Sequence, residues 1–310
     1  MRLAIWPTLR QGWSDVVDVA AHADAAGWDR LYLADHFMGD GVNDPVEVAT
    51  LEVTATLAAL AVTTEGIGLG TLVLGNTYRH PAVVANWIAT VDNLSGGRAT
   101  LGLGAGWQVN EHEQYGIELP SPGVRLRRLA EACEVITGLL HSPPVTVSGE
   151  AYRLRGAVCE PRPVGPVPLL VGGRGDRMLG LVARWADEWN LWADAARYVE
   201  RRTVLHAHCE RLGRDPAEIS TSAQALVLLT DDDREAADFV ERNTTRISVA
   251  GTPARVTDFI GELLAAGLDE FVVPDTFLGR GAARQEAMAT LEAAARAAGW
   301  KPRQVVPAGG

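Results

Sequence analysis

Apolar residues follow two alternating patterns along the chain. Short apolar runs, such as 3–6 and 99–104, are bounded by proline, glycine or polar residues, which is typical of buried strands. Longer segments, such as 14–26, place apolar residues three and four positions apart, and so on one face of a helix. Gly27, directly after that segment, is typical of a helix end. The chain is therefore predicted to alternate strands with helices.

The alternation recurs about eight times without a linker or a change in composition. The predicted strands are 3–6, 31–34, 66–74, 99–104, 167–171, 188–192, 219–229 and 270–273. The predicted helices are 14–26, 46–61, 81–95, 124–140, 176–185, 198–212, 234–241, 253–266 and 283–298. This series predicts one (β/α)8 TIM barrel domain over residues 1–310, with a doubly wound open sheet as the alternative. No GxGxxG motif opens the first unit, which argues against the open sheet.

One segment, 141–166, breaks the alternation and contains five prolines. Apolar and polar residues alternate at 145–147 and 152–154, on either side of Gly149-Glu150. This pattern predicts a β-hairpin inserted before strand five. Such an insertion can cover an active site or simply decorate the wall of a barrel, and both interpretations stand.

The composition is typical of a folded protein and argues against some classes of binding partner. Hydrophobic residues make up 47% of the 310 residues, and the formal net charge is -11, from 28 Lys+Arg and 39 Asp+Glu. No basic run stands out, so nucleic acid is not an expected partner. No stretch of about 18 apolar residues occurs, and the apolar start is too short for a signal peptide, so we expect no membrane span and a cytoplasmic location. Three widely spaced cysteines, Cys133, Cys159 and Cys209, are predicted to be packing residues.

The C-terminal ends of barrel strands are where catalytic residues are expected. Strand two is followed by Asp35, His36 and Phe37. A histidine there can transfer a proton or hydrogen-bond a cofactor ring, with Asp35 or a neighbour fixing its tautomer. A histidine satisfied within its own loop is the simpler alternative.

Strands four and five end in glycine-rich segments. Residues 102–107, GLGAGW, leave backbone exposed beside Trp107, or else serve close strand packing. Strand five ends in Gly172-Gly173-Arg174 immediately before a helix, whose free N–H groups favour an anion such as a phosphate. A purely structural turn is the alternative. A metal site could be built from His36, His80, His112, Glu111 and Glu113, but no HxH follows the first strand and no metal is predicted.

Several separated motifs occur together in a fixed order. They are ADHF at 34–37, GTLVLGNTYRHPAVVAN at 70–86, SGGRATLGLGAGW at 95–107 followed by NEHEQYG, VPLLVGGRGDRMLGLVARWADEWN at 167–190 and GTPARVTDFIGELLAAGLDEFVV at 251–273. Over nearly the whole chain they resemble the bacterial luciferase-like monooxygenase family. The chain is most similar to the branch that uses the deazaflavin coenzyme F420, and FMN-dependent members are close relatives.

The resemblance implies where a cofactor would lie. A non-prolyl cis peptide is implied at Leu72-Val73, behind an isoalloxazine-like ring, with His36 at the reactive edge and oriented by Asp35. The residues implied along the ring and its ribityl chain are Gly104, Ala105, Gly106 and Asn110, and those implied at the phosphate are Gly172, Gly173 and Arg174.

The implied reaction is hydride transfer between F420 and a small organic substrate. An FMN-dependent monooxygenase and a non-catalytic flavin-binding protein are the alternatives, and a homodimer is implied. Candidate substrate-contacting residues are Trp107, Phe37 and Trp13, with Trp6 and Trp192 as further walls, although each is otherwise an ordinary core residue.

The sequence departs from the family pattern at two positions. F420-dependent sugar-phosphate dehydrogenases of this family carry a glutamate where this chain has Trp107, and their tryptophan downstream of the Asp-His pair is absent. Sugar-phosphate oxidation is therefore not the expected reaction. His36 becomes the first candidate for the proton donor, with Glu111 or Glu113 as alternatives.

Overall fold

The computed structural model describes residues 1–305, and its strands and helices alternate as the apolar pattern predicts. The strands are β1 (Arg2–Trp6), β2 (Arg30–Leu33), β3 (Gly68–Thr71), β4 (Leu74–Gly75), β5 (Ala99–Gly104), β6 (Val145–Ser148), β7 (Arg153–Ala157), β8 (Leu169–Gly172), β9 (Glu188–Trp192), β10 (Ser220–Gln224), β11 (Leu226–Leu229), β12 (Ser248–Gly251) and β13 (Glu270–Pro274). The helices are α1 (Trp13–Ala26), α2 (Val53–Thr63), α3 (Pro81–Ser95), α4 (Val109–Tyr115), α5 (Pro122–His141), α6 (Asp176–Trp185), α7 (Ala195–Leu212), α8 (Asp233–Arg242), α9 (Pro253–Ala265) and α10 (Gly281–Ala297).

Parallel strands close into a barrel in the order β3-β2-β1-β13-β10-β9-β8-β5, and β5 pairs with β3 to complete the ring. The predicted (β/α)8 TIM barrel is confirmed. The predicted domain span of 1–310 stays a prediction, since residues 306–310 lie outside the described residues. Within residues 1–305, no helix is both long enough and apolar enough to cross a membrane.

The barrel lumen has a charged lower end, and its middle is apolar on one side and polar on the other, where Asn190 of β9 donates to Ser222 of β10 at 2.9 Å. At the N-terminal end of the strands, Arg30 pairs with Glu188 at 2.8 Å and with Glu270 at 3.5 Å. Above this pair, Ala4, Tyr32, Leu72, Leu170 and Val272 form a buried cluster against which Trp6 and Val73 pack. Because side chains alternate along a strand, the last residues of β1 and β9, Trp6 and Trp192, point into the upper lumen, where their ring centroids are 5.9 Å apart.

A second, larger core fills the space between the strands and the outer helices. Cys133, Cys159 and Cys209 lie buried in this core as free thiols, which confirms that they are packing residues. Helix α1 ends at Gly27, whose positive φ of 80° closes the helix with backbone hydrogen bonds to Ala23 and Asp24.

The inserted hairpin is confirmed, since β6 and β7 pair antiparallel. It lies along α5, where the carboxylate of Glu131 accepts hydrogen bonds from the N–H groups of Glu150, Ala151 and Tyr152. The hydroxyl of Tyr152 accepts a hydrogen bond of 3.3 Å from Asn76, which follows β4 at the barrel rim. The hairpin therefore belongs to the outer wall, and its turn reaches the rim.

The bounds of three predicted elements differ clearly from the structure, and two elements were not predicted. The helix predicted at 46–61 begins only at Val53, because Glu52 is its N-cap and accepts a hydrogen bond from the N–H of Ala55. The strand predicted at 66–74 is divided into β3 and β4. The strand predicted at 219–229 is divided into β10, which stays in the barrel, and β11, which pairs with the unpredicted β12. The short helix α4 was not predicted either.

Candidate functional site

His36 lies at the C-terminal end of β2 and is held by a residue from α4. Its Nδ1 is 3.0 Å from Oε1 of Glu111, whose other oxygen accepts a 3.0 Å hydrogen bond from the N–H of Phe37. The Tyr78 hydroxyl donates to the same Oε1 of Glu111. The His36 side chain is 23% exposed, and no hydrogen bond within residues 1–305 uses its Nε2. One nitrogen of the imidazole is thus fixed, and the other is available at the rim.

The Glu111 carboxylate is buried but stays ionised. Burial acts to raise its pKa, but the hydrogen bonds from His36, Tyr78 and the N–H of Phe37 outweigh burial and lower the pKa below its usual range. Burial, and then the hydrogen bond to Glu111, raise the pKa of Tyr78 and keep its hydroxyl protonated. Glu111 is therefore a charged acceptor for both side chains.

Asp35 does not orient His36, so the sequence prediction for its role was wrong. Its carboxylate accepts hydrogen bonds from Nη1 of Arg79 at 2.7 Å, from Nη2 of Arg79 at 3.1 Å and from the N–H of Gly75 at 2.9 Å. Burial raises the pKa of Asp35 although Arg79 and Gly75 oppose that rise. Arg79 also pairs with Glu52 at 2.7 Å. Asp35 fixes the loop after strand three because it bonds that loop instead of the neighbouring imidazole.

The peptide bond between Leu72 and Val73 is cis, which confirms the prediction for this position. It separates β3 from β4, and the Val73 side chain enters the upper lumen. A Cβ atom placed on Gly104 would lie 2.6 Å from Cγ2 of Val73, and one on Gly172 would lie 3.1 Å from its Cγ1. These two glycines therefore make room for Val73, which forms an apolar surface at the top of the lumen.

Gly106 and Asn110 are committed to contacts within the protein. Gly106 has a φ of 79°, a conformation that favours glycine, and its carbonyl accepts a 2.9 Å hydrogen bond from Arg125. The Asn110 amide donates to the carbonyl of Gly39 at 2.8 Å and so ties α4 to the loop after β2. Ala105 lies between the two glycines of this rim and packs partly against the outer core. Gly104, Ala105 and Gly106 thus form a small-residue edge of the rim.

At the end of β8, the glycines differ in what they can offer a phosphate. The N–H of Gly173 already donates to the carbonyl of Asn190 at 2.9 Å, so it is not a free donor. Gly175 is the N-cap of α6 and provides no side-chain cap, and a Cβ placed on it would meet nothing within 4 Å. Arg174 is exposed and has no carboxylate within ion-pair distance among residues 1–305. The space beside this helix start is therefore accessible, and Arg174 and the free N–H groups of the helix face it, together with Asp176, which pairs with Arg201.

The candidate substrate-contacting residues fall into two groups. The ring of Trp107 is 56% exposed and meets the His36 ring edge-on, with centroids 5.4 Å apart. Phe37 packs between Tyr78 and Tyr115, at centroid distances of 5.0 and 5.2 Å. Trp13, at the start of α1, is 39% exposed, and within the described chain it makes no ring contact with the other two. The structure therefore brings Trp107 and Phe37 to His36 but not Trp13.

The histidines and glutamates of the metal alternative are separated by their own partners. Nδ1 of His80 accepts a hydrogen bond from the N–H of Ala82 at the start of α3. His112 bonds the carbonyl of Gln108 at 2.6 Å and the hydroxyl of Thr77 at 2.8 Å. In the described part of the chain, no group of three or more such side chains is arranged to hold a metal ion.

A cavity of about 870 Å³ lies beside the rim. It opens between the start of α7, helix α8, strand β12 and helix α9, and its lining includes Ala195, Val240, Phe259 and Arg246. None of the predicted catalytic or cofactor residues lines it. The predicted site and this cavity are therefore distinct neighbouring features.

Sequence reasoning assigned no role to Tyr78 and Arg79, although both lie in a quoted motif. The signal was the run Tyr78-Arg79-His80 just before Pro81, since polar residues between a strand end and a helix start lie at the rim. Glu111 was considered as an alternative proton donor and as a possible metal ligand, but its contact with His36 was not predicted.

Comparison with known families agrees with this architecture. A sequence profile described as luciferase-like monooxygenase matches residues 1–294. The chain belongs to the luciferase-like monooxygenase family. The match covers every barrel strand and all of the rim residues described above.

Two curated proteins are similar to this luciferase-like chain. The F420-dependent glucose-6-phosphate dehydrogenase of Nakamurella multipartita is 33% identical over 233 residues, which are 73% of this chain and 66% of that protein. The 5,10-methylenetetrahydromethanopterin reductase of Archaeoglobus fulgidus is 31% identical over 237 residues, which are 76% of this chain and 66% of that protein. The matched region thus spans just under two thirds of the length of these relatives.

Solved structures share the luciferase-like barrel. An F420-dependent secondary alcohol dehydrogenase superposes with a TM-score of 0.82 at 19% identity, covering 94% of this chain and 98% of that chain. The coenzyme F420 dependent tetrahydromethanopterin reductase from Methanopyrus kandleri superposes with a TM-score of 0.78 at 22% identity, covering 94% and 97%. At these identities the likeness shows the fold.

Proposed function

We propose that this chain is an oxidoreductase that uses coenzyme F420 and transfers a hydride between that cofactor and a small organic substrate. The observation that carries the proposal is the placement of His36, with Nδ1 held by Glu111 and Nε2 available at the rim. The choice of F420 is supported by the curated relatives, one of which is named as F420-dependent at 33% identity.

The residues at the rim fit a flat ring. Val73 presents an apolar side chain at the top of the lumen, over Gly104 and Gly172, and the neighbouring Ala105 and Gly106 are small. A ring resting on Val73 would meet the end of β2, where His36 lies. When bound, F420 supplies a two-electron hydride carrier. We assign Leu72 and Val73 to the back of the ring, and Gly104, Ala105, Gly106 and Asn110 to its edge.

The chain itself would handle the proton and exclude water. His36 would hold or release a proton at Nε2, while Glu111 accepts from Nδ1–H and so fixes the tautomer. Trp107, which lies edge-on to His36, would cover the imidazole and contact the substrate together with Phe37. Trp13 lies apart from these two rings and would contact only a substrate that extends to the start of α1. Because the resemblance implies an acid at the position of Trp107 in the sugar-phosphate dehydrogenases, we propose a substrate other than a sugar phosphate.

The phosphate group would lie at the start of α6. Gly172, Gly173 and Arg174 form the approach to it, but the bonded N–H of Gly173 shifts the donors to Gly175 and the first turn of the helix. Arg174 would add a positive charge. A homodimer and a cytoplasmic location stay predictions of the sequence, and light scattering on the purified protein tests the first.

Binding titrations test the proposed function. Purified protein is titrated with F420 and with FMN, and the ring absorbance and fluorescence of each cofactor are followed. Saturable micromolar binding of F420, retained in His36→Asn while turnover with reduced F420 is lost, is the expected result. Binding of FMN but not of F420, together with oxygen-dependent oxidation of reduced FMN, would favour the monooxygenase. Tight F420 binding without turnover of any acceptor would favour a non-catalytic flavin-binding protein.

A further inference from the structure

Arg246 lies on the aromatic wall of the barrel mouth. Its guanidinium carbon is 5.4 Å from the centroid of the Trp192 ring, and that ring packs against Trp6. Both tryptophans are the last residues of their strands, so their upper faces turn toward the rim. The segment that follows α8 thus brings a cation over the side of the mouth formed by β1 and β9.

Arg246 has no anionic partner in the protein. Within residues 1–305, no carboxylate lies within 4.0 Å of its guanidinium, although the sequence contains 39 Asp+Glu and carries a net charge of -11. The residue is exposed, and it also lines the cavity of about 870 Å³ beside the rim. A guanidinium stacked on an indole keeps its N–H edge available to a planar anion.

A second arginine belongs to the same mouth. Arg10, in the loop after β1, contacts Asp44 and donates to the carbonyl of Met38 at 3.4 Å. Burial lowers the pKa of Arg10, and the positive charge of Arg246 lowers it further, while Asp40 and Glu111 act in the opposite direction. The charge of Arg10 is thus already balanced by Asp44, unlike that of Arg246.

We propose that Arg246, held on Trp192, binds an anionic group of the substrate. The substrate class is then a carboxylate on an aromatic or apolar body, with the body against Trp6 and Trp192 and the carboxylate on the guanidinium. Placing this subsite on the substrate side of the mouth rests on the proposed function. The binding of the anion itself depends only on residues of this chain.

Calorimetric titration with benzoate and benzamide tests the subsite, because the two probes share a ring and differ in charge. The protein is titrated with each probe, alone and with F420 present. Benzoate is expected to bind, benzamide to bind at least about tenfold more weakly, and Arg246→Gln to weaken benzoate about tenfold, as expected for a lost charge-assisted contact. The matched control is Arg242→Gln, which removes the same charge from an exposed position on α8 and should leave benzoate binding unchanged.

The outcomes separate the subsite from the proposed function. No binding of benzoate, equal binding of benzoate and benzamide, or an equal effect of Arg246→Gln and Arg242→Gln would overturn the subsite even if F420 binds. If benzoate binding depends on Arg246 while F420 does not bind, the subsite stands and the proposed function fails. Arg246→Gln should not change the affinity for F420.

Discussion

Nδ1 of His36 lies 3.0 Å from Oε1 of Glu111, a residue 75 positions further along the chain. The carboxylate is fully buried, and its second oxygen accepts a hydrogen bond from the N–H of Phe37. It therefore constrains both the imidazole ring of His36 and the backbone of the loop that follows β2. Glu111 is thus a positioning residue for His36.

Replacing Glu111 by Gln should lower kcat with reduced F420 by about 10- to 100-fold while the affinity for F420 changes little, because an amide can no longer enforce one imidazole tautomer. The pH profile of kcat should shift as well, which a purely structural defect would not cause. The matched control is Glu113→Gln, an exposed residue on the same helix. Equal kcat values for the Glu111 variant and the unchanged protein would contradict the assignment.

The lowered pKa of Glu111 makes part of the stability pH-dependent. Its folded-state pKa lies below the ordinary value of 4.5, so its contribution is complete above about pH 4.5 and is lost as the pH falls through the folded value. Urea unfolding from pH 7 to pH 3 should show a smaller loss of free energy in Glu111→Gln than in the unchanged protein. An equal decrease in the free energy of unfolding of the two proteins below pH 4.5 would refute this.

Gly104→Ala should destabilise the protein by about 1–3 kcal/mol, the usual range for overpacking, because the added methyl group meets Cγ2 of Val73. F420 binding should weaken with it, since Val73 would be displaced under the ring. Val73→Ala removes the clashing atom, so the double variant should recover most of the stability of Val73→Ala alone. Additive losses in the double variant would show that Gly104 is required for another reason.

Arg30→Met should cost about 3–5 kcal/mol of unfolding free energy, because Glu188 and the fully buried Glu270 lose their nearest arginine, while Arg2 remains 3.8 Å from each. Chemical denaturation measures the loss, and Arg155→Met, an exposed change on the hairpin, is the control. F420 affinity of the folded variant should be unchanged, because these charges lie at the opposite end of the lumen. A loss below about 1 kcal/mol would mean that the pair contributes little net stability.

The barrel could be predicted because each strand and helix leaves a local pattern. Strand β5 and helix α6 have the predicted bounds, since apolar periodicity and glycine boundaries are properties of neighbouring residues. The start of α2 could not be predicted in that way. It depends on Glu52, whose carboxylate both caps the helix and pairs with Arg79 from the next unit.

The position of the site could be predicted from the sequence, but the hydrogen-bond partners of its residues could not. Barrel topology places the end of each strand at one rim, so His36, Trp107 and the glycines could be grouped from sequence. The carboxylate that bonds His36 is determined by the path of α4. Because α4 was not predicted from the sequence, Asp35 was chosen instead of Glu111. The glycines at 104 and 172 were expected to face a cofactor, whereas their missing side chains accommodate Val73.

The apolar layer of Ala4, Tyr32, Leu170 and Val272 lies between the charged lower lumen and the rim. It separates the two ends of the lumen by packing, because Trp6 and Val73 at the mouth contact this layer and not the lower ion pairs. Substitutions of side chains at the mouth are therefore expected to leave the contacts of the lower ion pairs in place.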